Sequence, residues 1–463
     1  MKRNLLYIAL DFPPLNSSGT YRNAKFVKYL GQFGWHPIVV TLDWHRERVD
    51  DPLDDSLLHD IPAQVPVIRL PHFNPVFKLH YLMARYRARS QAHSQTVTLS
   101  EVMTDGQSRG TLFKLARNAY HAALVPVGDT FFYWSFRVLP QCVVLARQHE
   151  VEAILASVSP WTTAILGIML KRILRLPLIV DFRDYWTMWA VKGTHAIRDK
   201  LDAHVERWVL RQADRVICVH QAMADDFKAL EPACAGTCCV ITNGYDVDDF
   251  PPLSPDAHAS GLEADTCQLT HTGIAWGDAA LPLLQALAQL KRENAEKRLR
   301  VNFVGGLPPS SLQFIEDHHL DDVVQIQSRM AHREAIQHMR QADLLLLLIV
   351  GNEGGRKWYP GKLFEYMYAG RPVLAVAPEG IATQLVNEAG IGLTVEPHDT
   401  ERLTGVLREI AADVSSFRQK YYHPKPTTIE PFNRVALTRK LASVLDEVCV
   451  MSRNARAGAA LPD

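Results

Sequence analysis

Lys362 and Glu365 stand behind the dipeptide Pro360-Gly361 and among the apolar residues Leu363, Phe364, Tyr366 and Met367. Proline is favoured in a first helical turn, so this arrangement predicts a helix opening at Pro360. First-turn amides have no partner within their own helix and form its positive end. The amides of Gly361, Lys362 and Leu363, with the Lys362 ammonium beside them, would hold an anion such as a diphosphate. Glu365, three residues on, would reach a ribose by accepting hydrogen bonds from its two hydroxyls; the alternative is that it caps its own helix. Arg356 and Lys357 would add positive charge near the phosphates or serve as ordinary surface charge, and the loop 351–359 would swing in when a ligand binds.

A second group follows a short apolar run. Asp181-Phe182-Arg183-Asp184 comes directly after the strand expected at Pro177 to Val180. Asp184 would orient a hydroxyl there, with Arg183 paired to it or to a phosphate; a purely structural Arg–Asp pair is the competing reading. Gly19 precedes the first helix, where a side chain would obstruct close approach of a ligand to the backbone. An ordinary loop ahead of a helix is the alternative. Gly273 closes the strand that starts at Leu269. Asn243-Gly244 reads as a turn at a domain edge, and Asp246-Val247-Asp248 after it as surface.

The elements that must position these residues repeat a pattern. Leu5 to Leu10 reads as a buried strand, followed by a turn-rich loop to Gly19, a helix bearing Phe26, Val27, Leu30 and Phe33, a stop at Gly34, and a strand from Pro37 to Leu42. That is a βαβ unit with parallel strands. From Asp43 to Gln141 the pattern is hard to follow. Lys78, Arg85, Arg87 and Arg89 alternate with apolar residues as in a basic amphipathic helix, either a solvated face or a membrane-surface contact. Residues 91–110 read as a polar loop. Strand–helix alternation resumes at Val151 and ends near 250. Prolines and small polar residues over 251–265 read as a linker, and a second strand–helix series occupies 266–425. A final amphipathic helix is expected over 426–448 and a disordered tail over 449–463. The architecture implied is α/β, two Rossmann-like doubly wound domains in tandem, facing across a cleft, with the last helix packing back on the first domain.

Bulk composition narrows the function. With 463 residues the chain exceeds one ordinary core and suits two domains. Fifty Lys plus Arg balance fifty Asp plus Glu, so there is no overall electrostatic footprint for nucleic acid. The apolar run at the N-terminus is too short for a secretory signal, and no run approaches the length that spans a bilayer. Seven scattered cysteines, three of them Cys234, Cys238 and Cys239, lack a second ligand pair at zinc spacing. Reduced thiols in a cytoplasmic protein are the expectation.

Several segments together resemble the GT-B glycosyltransferases, in particular the retaining family 4 group that builds bacterial surface polysaccharides. They are Asp11-Phe12-Pro13-Pro14, Asp181 to Trp186, Ile241-Thr242-Asn243-Gly244-Tyr245-Asp246, His271-Thr272-Gly273, Pro360 to Tyr366, and Ala369-Gly370-Arg371-Pro372-Val373. They follow the family's order over nearly the whole chain, and Asp43 to Gln141 matches least. The resemblance implies a sugar transferred from a nucleotide-sugar donor to a glycan or lipid-linked acceptor, with retention, and with no metal and no cofactor beyond the donor itself. It implies that Glu365 is the second glutamate of the family's E-x7-E motif, while Lys357 stands where the first should be. It makes Gly19 and Gly273 donor-facing, and puts Arg183 where many relatives have a histidine that touches the donor sugar. The Arg and Lys that the family carries after the first strand of its second domain are absent, so Lys362 and Arg356 are the candidates to neutralise the leaving diphosphate. A nucleotide-sugar epimerase, a sugar phosphorylase and a non-catalytic sugar-nucleotide-binding protein are the rival readings of the same architecture. The helix at Pro360 must point its positive end into the gap between the lobes, and an internal ion pair at Glu365 would count against the scheme.

Overall fold

The structure is a computed structural model of the chain and describes residues 3–46, 53–75, 125–188, 196–250, 266–296 and 298–459. The basic stretch from Lys78 to Arg89, the polar run 91–110 and the linker 251–265 lie outside the described residues.

Strand β1 (Arg3–Ile8) and the residues after it explain why a parallel sheet forms. Leu6, Ile8 and Leu10 enter one core while Leu5, Tyr7 and Ala9 enter another. A strand apolar on both faces needs cover on both sides, which crossover helices supply. With β1 run β2 (Trp35–Leu42), β3 (Val67–Leu70), β4 (Val151–Val158), β5 (Leu178–Phe182), β6 (Arg215–Cys218) and β7 (Cys238–Val240). All pair in parallel, in the order β3-β2-β1-β4-β5-β6-β7. Helices α1 (Ser18–Leu30), α2 (Phe132–Gln148), α3 (Thr162–Leu174), α4 (Ala196–Gln212) and α5 (Gln221–Leu230) belong to this domain.

The second sheet holds β8 (Cys267–Thr272), β9 (Leu299–Val304), β10 (Val324–Gln327), β11 (Leu344–Leu348), β12 (Val373–Val376) and β13 (Gly392–Val395). These are also parallel, in the order β10-β9-β8-β11-β12-β13. Its helices are α6 (Leu281–Arg292), α7 (Pro309–Asp317), α8 (His332–Gln341), α9 (Glu353–Arg356), α10 (Gly361–Tyr368), α11 (Ile381–Ala389), α12 (Thr400–Ala412) and α13 (Val414–Tyr421). The unbroken leucines of β11 divide between two cores, Leu344, Leu346 and Leu348 on one face and Leu345 and Leu347 on the other. Each sheet reverses its strand order once, between β1 and β4 and between β8 and β11. At such a switch point the loops beyond the carboxyl ends part and leave a ligand crevice.

After α14 (Pro426–Ile429) and a short 3-10 turn, α15 (Arg434–Ala459) returns to the first domain. Leu437, Leu441, Ala442 and Leu445 pack with Leu5, Tyr7 and Phe26. The crossing point is Tyr245, whose amide donates to the Phe432 carbonyl at 3.1 Å and whose carbonyl accepts from Arg434 at 2.9 Å. Gly244 permits this approach, because a Cβ there would lie 2.1 Å from the Phe432 carbonyl oxygen. The final helix overruns its expected end at 448 and takes up residues expected to be disordered, through 459. The cause is burial of Val448 and Cys449 and a hydrogen bond from Arg453 to Glu152, which anchor that stretch to the first domain. No described helix is long and apolar enough to cross a membrane.

Asp246 corrects a second expectation. It is buried rather than at the surface, accepting from Lys28 Nζ at 2.9 Å and Tyr29 Oη at 2.6 Å, while Val247 and Asp248 remain exposed. The Lys25 ammonium lies 2.7, 2.9 and 2.5 Å from Asp60, Asp246 and Asp249. Among the described residues those three carboxylates are the cluster able to gather around a cation, and Lys25 fills it.

Arg22 and Asp181 bind the first domain's centre. Both are fully buried, joined by two parallel bonds of 2.8 and 2.7 Å, and Arg22 also donates to the carbonyls of Ile241 and Thr242 at 2.8 and 2.6 Å. Breaking a buried pair by removing one partner strands a charge, so Arg22→Ala should lower the unfolding free energy by about 3–5 kcal/mol. Urea denaturation of the two proteins measures this directly.

Candidate functional site

Lys362 occupies the second position of α10, above the switch point of the second sheet. Its Nζ donates to His271 Nε2 at 2.9 Å. His271 is wholly buried on β8, and its Nδ1 lies 2.9 Å from the Leu346 carbonyl of β11. Since a carbonyl only accepts, Nδ1 carries the proton and Nε2 presents its lone pair to the ammonium. Burial, with Lys362 adding to it, holds the imidazole neutral, its pKa well below the usual histidine range. Burial likewise pushes the Lys362 ammonium down to about 7, against the opposing pull of Glu365. Among the described residues no carboxylate touches this cation, which is held beside a neutral base and can gain sharply from an arriving anion.

The surroundings suit such a ligand. Gly273 has φ +79°, and a Cβ on it would lie 3.3 Å from Lys362 Nζ. A Cβ on Gly361 would meet nothing within 4 Å, so the start of α10 is open. No side chain caps that turn. The Leu363 amide donates to the Pro360 carbonyl at 3.1 Å, which withdraws Leu363 from the expected trio and leaves the amides of Gly361 and Lys362. Tyr366 fixes the helix over the strand: its hydroxyl accepts from the Thr272 amide at 3.0 Å and donates to the Leu346 carbonyl at 3.3 Å.

Glu365 neither caps its own helix nor stands fully free for a ribose. Its Oε1 lies 2.8 Å from Nε2 of buried His332, whose ring stacks on Tyr21 of the first domain at 4.2 Å between centroids. The His332 amide donates to Asp54 Oδ2 at 3.0 Å. Burial alone would lower the His332 pKa, but the charge and hydrogen bond of Glu365, with Asp249, outweigh it and the net shift is upward. Glu365 is therefore half of an internal ion pair at the domain seam. Its Oε2 has no hydrogen-bond partner among the described residues, and that oxygen is what remains for a ribose. The arrangement that was to count against the scheme is present at Glu365 and absent at Lys362.

Arg356 is turned elsewhere, with Nε 3.2 Å from Glu353 and Nη1 donating to the Glu379 carbonyl at 3.1 Å. Lys357 crosses the cleft, its Nζ 3.0 and 2.9 Å from the two oxygens of Asp226, which also accepts from Tyr185 Oη at 2.7 Å. The lysine in the place of the motif's first glutamate thus ties the lobes together. An exposed pair of this kind contributes at most about 1 kcal/mol. Lys357→Ala should leave the melting temperature nearly unchanged, whereas Lys357→Glu should open the cleft and raise the radius of gyration seen by solution X-ray scattering.

Across the gap, Gly19, Asp11 and Arg183 converge beyond the carboxyl ends of β1 and β5. Arg183 Nη2 donates to Asp11 Oδ2 at 2.9 Å and to the Ser159 carbonyl. Arg183 thus pairs with Asp11, not with Asp184. A Cβ on Gly19 would fall 1.5 Å from Arg183 Nη1, so what approaches that glycine is the guanidinium. Arg183 Nε is buried without a partner. Asp184 is half-buried and makes no hydrogen bond among the described residues; burial raises its pKa above the usual carboxylate range while Arg183 pulls the other way. Sequence spacing pointed to Lys362, Gly273, Arg183 and Gly19. It gave no role to His332, His271 or Asp11, although the last two stood in the His-Thr-Gly and Asp-Phe-Pro-Pro segments.

Each switch point carries a cation beside a glycine, Lys362 with Gly273 and Arg183 with Gly19. The profile described as Glycosyltransferase Family 4 matches residues 97–249, and that described as Glycosyl transferases group 1 matches 269–413. The D-inositol 3-phosphate glycosyltransferase of Kineococcus radiotolerans is 28% identical over 229 residues, 45% of this chain and 51% of the relative. The chain thus spans about half the length of the curated relatives it matches. Sucrose-phosphate synthase from Thermosynechococcus elongatus superposes with a TM-score of 0.64 at 18% identity, covering 97% of this chain and 100% of the other. HepE of Anabaena in complex with UDP-glucose gives 0.62 at 16%, covering 96% and 99%. The chain belongs to the GT-B glycosyltransferases of the family 4 type. The two-domain α/β fold expected from the sequence is the fold observed.

Proposed function

We propose that the protein transfers a sugar from a nucleotide-activated donor to an acceptor hydroxyl, with the donor diphosphate seated at the start of α10. The observation that carries this is the Lys362 ammonium, poised beside neutral His271 and facing Gly273 with no ion-pair partner among the described residues. As the glycosidic bond to the diphosphate breaks, negative charge grows on the leaving oxygen. Lys362 and the amides of Gly361 and Lys362 are preorganised to meet that charge. The seam contacts Lys357–Asp226 and Glu365–His332–Tyr21 hold the lobes together, which keeps water from the activated sugar. Asp184, whose pKa burial holds above the usual carboxylate range, would accept the proton of the acceptor hydroxyl. Such a scheme needs no metal or further cofactor, and attack from the face that the diphosphate leaves gives retention.

The UDP-glucose complex of HepE makes uridine donors the first to test. A glycan or lipid-linked glycan of polysaccharide synthesis is the acceptor class the resemblance supports, with the work done in the cytoplasm at the inner face of the membrane. A ligand that binds only the native state raises its melting point. A panel of nucleotide sugars should therefore stabilise the wild type and fail to stabilise Lys362→Ala. Stabilisation of both alike, or of neither, contradicts the proposal.

A further inference from the structure

At the far end of α10 from Lys362 a pocket of about 400 Å³ is lined by Phe250, Arg340, Tyr368, Gly370, Arg371 and Arg418. Its three arginines come from separate elements: the end of α8, the turn after α10, and α13. Arg371 spends Nε on the Arg340 carbonyl at 2.9 Å. Arg418 Nη2 reaches only the Gly370 carbonyl at 3.4 Å, and its guanidinium lies over the Tyr422 ring at 5.1 Å. The Arg340 guanidinium makes no hydrogen bond or ion pair among the described residues. None of the three forms an ion pair with a carboxylate there. Burial lowers the pKa of Arg371, and its neighbours Arg418 and Arg340 lower it further against the pull of Asp343.

Three like charges gathered in a concavity, none of them in an ion pair among the described residues, repel one another, and an anion between them relieves that repulsion. The geometry selects among anions. Guanidinium forks match phosphate oxygens, and three of them suit a dianion better than a carboxylate. The remaining wall is aromatic: Tyr368 stacks on Tyr245 at 4.5 Å and receives Phe250 edge-on at 5.0 Å. Gly370, at φ +77°, would place a Cβ in open space, so the floor is unobstructed. We propose that this pocket is a second anion site that takes a phosphomonoester, either on a phosphorylated sugar or on a phospholipid headgroup, separate from the donor diphosphate. Tyr368 in its wall stacks on Tyr245, where the chain crosses back to the first domain, so occupancy would stiffen the junction between the lobes.

The test uses the full chain, as wild type, Lys362→Ala, and the double variant Arg340→Gln/Arg418→Gln. Arg418 is exposed and Arg340 half-buried, and circular dichroism melting establishes that the double variant folds. Calorimetric titration with inorganic phosphate and a hexose 6-phosphate tests the soluble source. Flotation with phosphatidylcholine vesicles, with and without phosphatidate, tests the headgroup. Binding of either kind that survives in Lys362→Ala and weakens at least tenfold in the double variant supports the site. No binding by the wild type, or equal binding by the double variant, overturns it. Loss in Lys362→Ala alone would mean that the phosphate sits at the donor site, and overturns it too.

Discussion

Replacing Lys362 with alanine should lower kcat/KM for the nucleotide sugar on the order of 10²–10³-fold, the loss seen when one preorganised donor to a developing anion is removed. The fold should survive, because Lys362 meets no carboxylate and its removal ends the burial of a charge. Lys362→Met should even raise the melting temperature of the ligand-free protein. The pH dependence follows from the ammonium's pKa of about 7, far below that of an ordinary lysine. Below that value the cation is present and donor binds at full strength. Above it, binding must first take up a proton, so donor affinity falls as pH rises, by up to tenfold per unit.

Glu365→Ala should cost stability as well as donor binding. The variant leaves the buried His332 imidazolium facing Asp249 at 4.0 Å with its nearer partner gone. Losing one member of a buried pair costs about 3–5 kcal/mol. His332 has a raised pKa in the folded state, so its contribution is complete below the unfolded histidine value and fades as pH rises through the folded one. On a Lys362→Met background, free of that ammonium's opposite titration, urea denaturation should therefore show stability declining from about pH 6.5 upward. That slope should be much shallower when Glu365→Ala is added. Glu365→Gln, which keeps a hydrogen-bonding oxygen without the charge, should lose the slope and retain more of the stability.

The sequence placed most strands within a residue or two because each is apolar on both faces, as β1 and β11 demonstrate. Where reading failed, a physical reason can be named. Helix α2 was hidden because Pro140 lies in its middle, on an exposed face where it disturbs no packing. Strand β7 stops at Val240, short of the apolar Ile241, since Ile241 and Thr242 give their carbonyls to Arg22. The last helix was cut short because contacts with Glu152, about 300 positions away, leave no local signal.

The candidate site divides in the same way. Lys362, Gly361 and Gly273 were legible because a helix start and a strand end are local features. The roles of Glu365, Lys357 and Arg183 were set by partners far along the chain: His332, Asp226 and Asp11. Residue spacing could say that each was charged and near a loop, but not which opposite charge would reach it first.

Calorimetric titration of UDP-glucose, in buffers of contrasting ionisation heat, tests the diphosphate seat at Lys362 most directly. The donor's diphosphate is a diester with no group titrating in this range, so any proton exchanged belongs to the protein. At about pH 8.5 the wild type should take up close to one proton on binding, and at about pH 6 almost none, with weaker affinity at the higher pH. Lys362→Met should show neither the uptake nor the affinity. Tight binding without proton uptake at either pH, unchanged in Lys362→Met, would contradict the account.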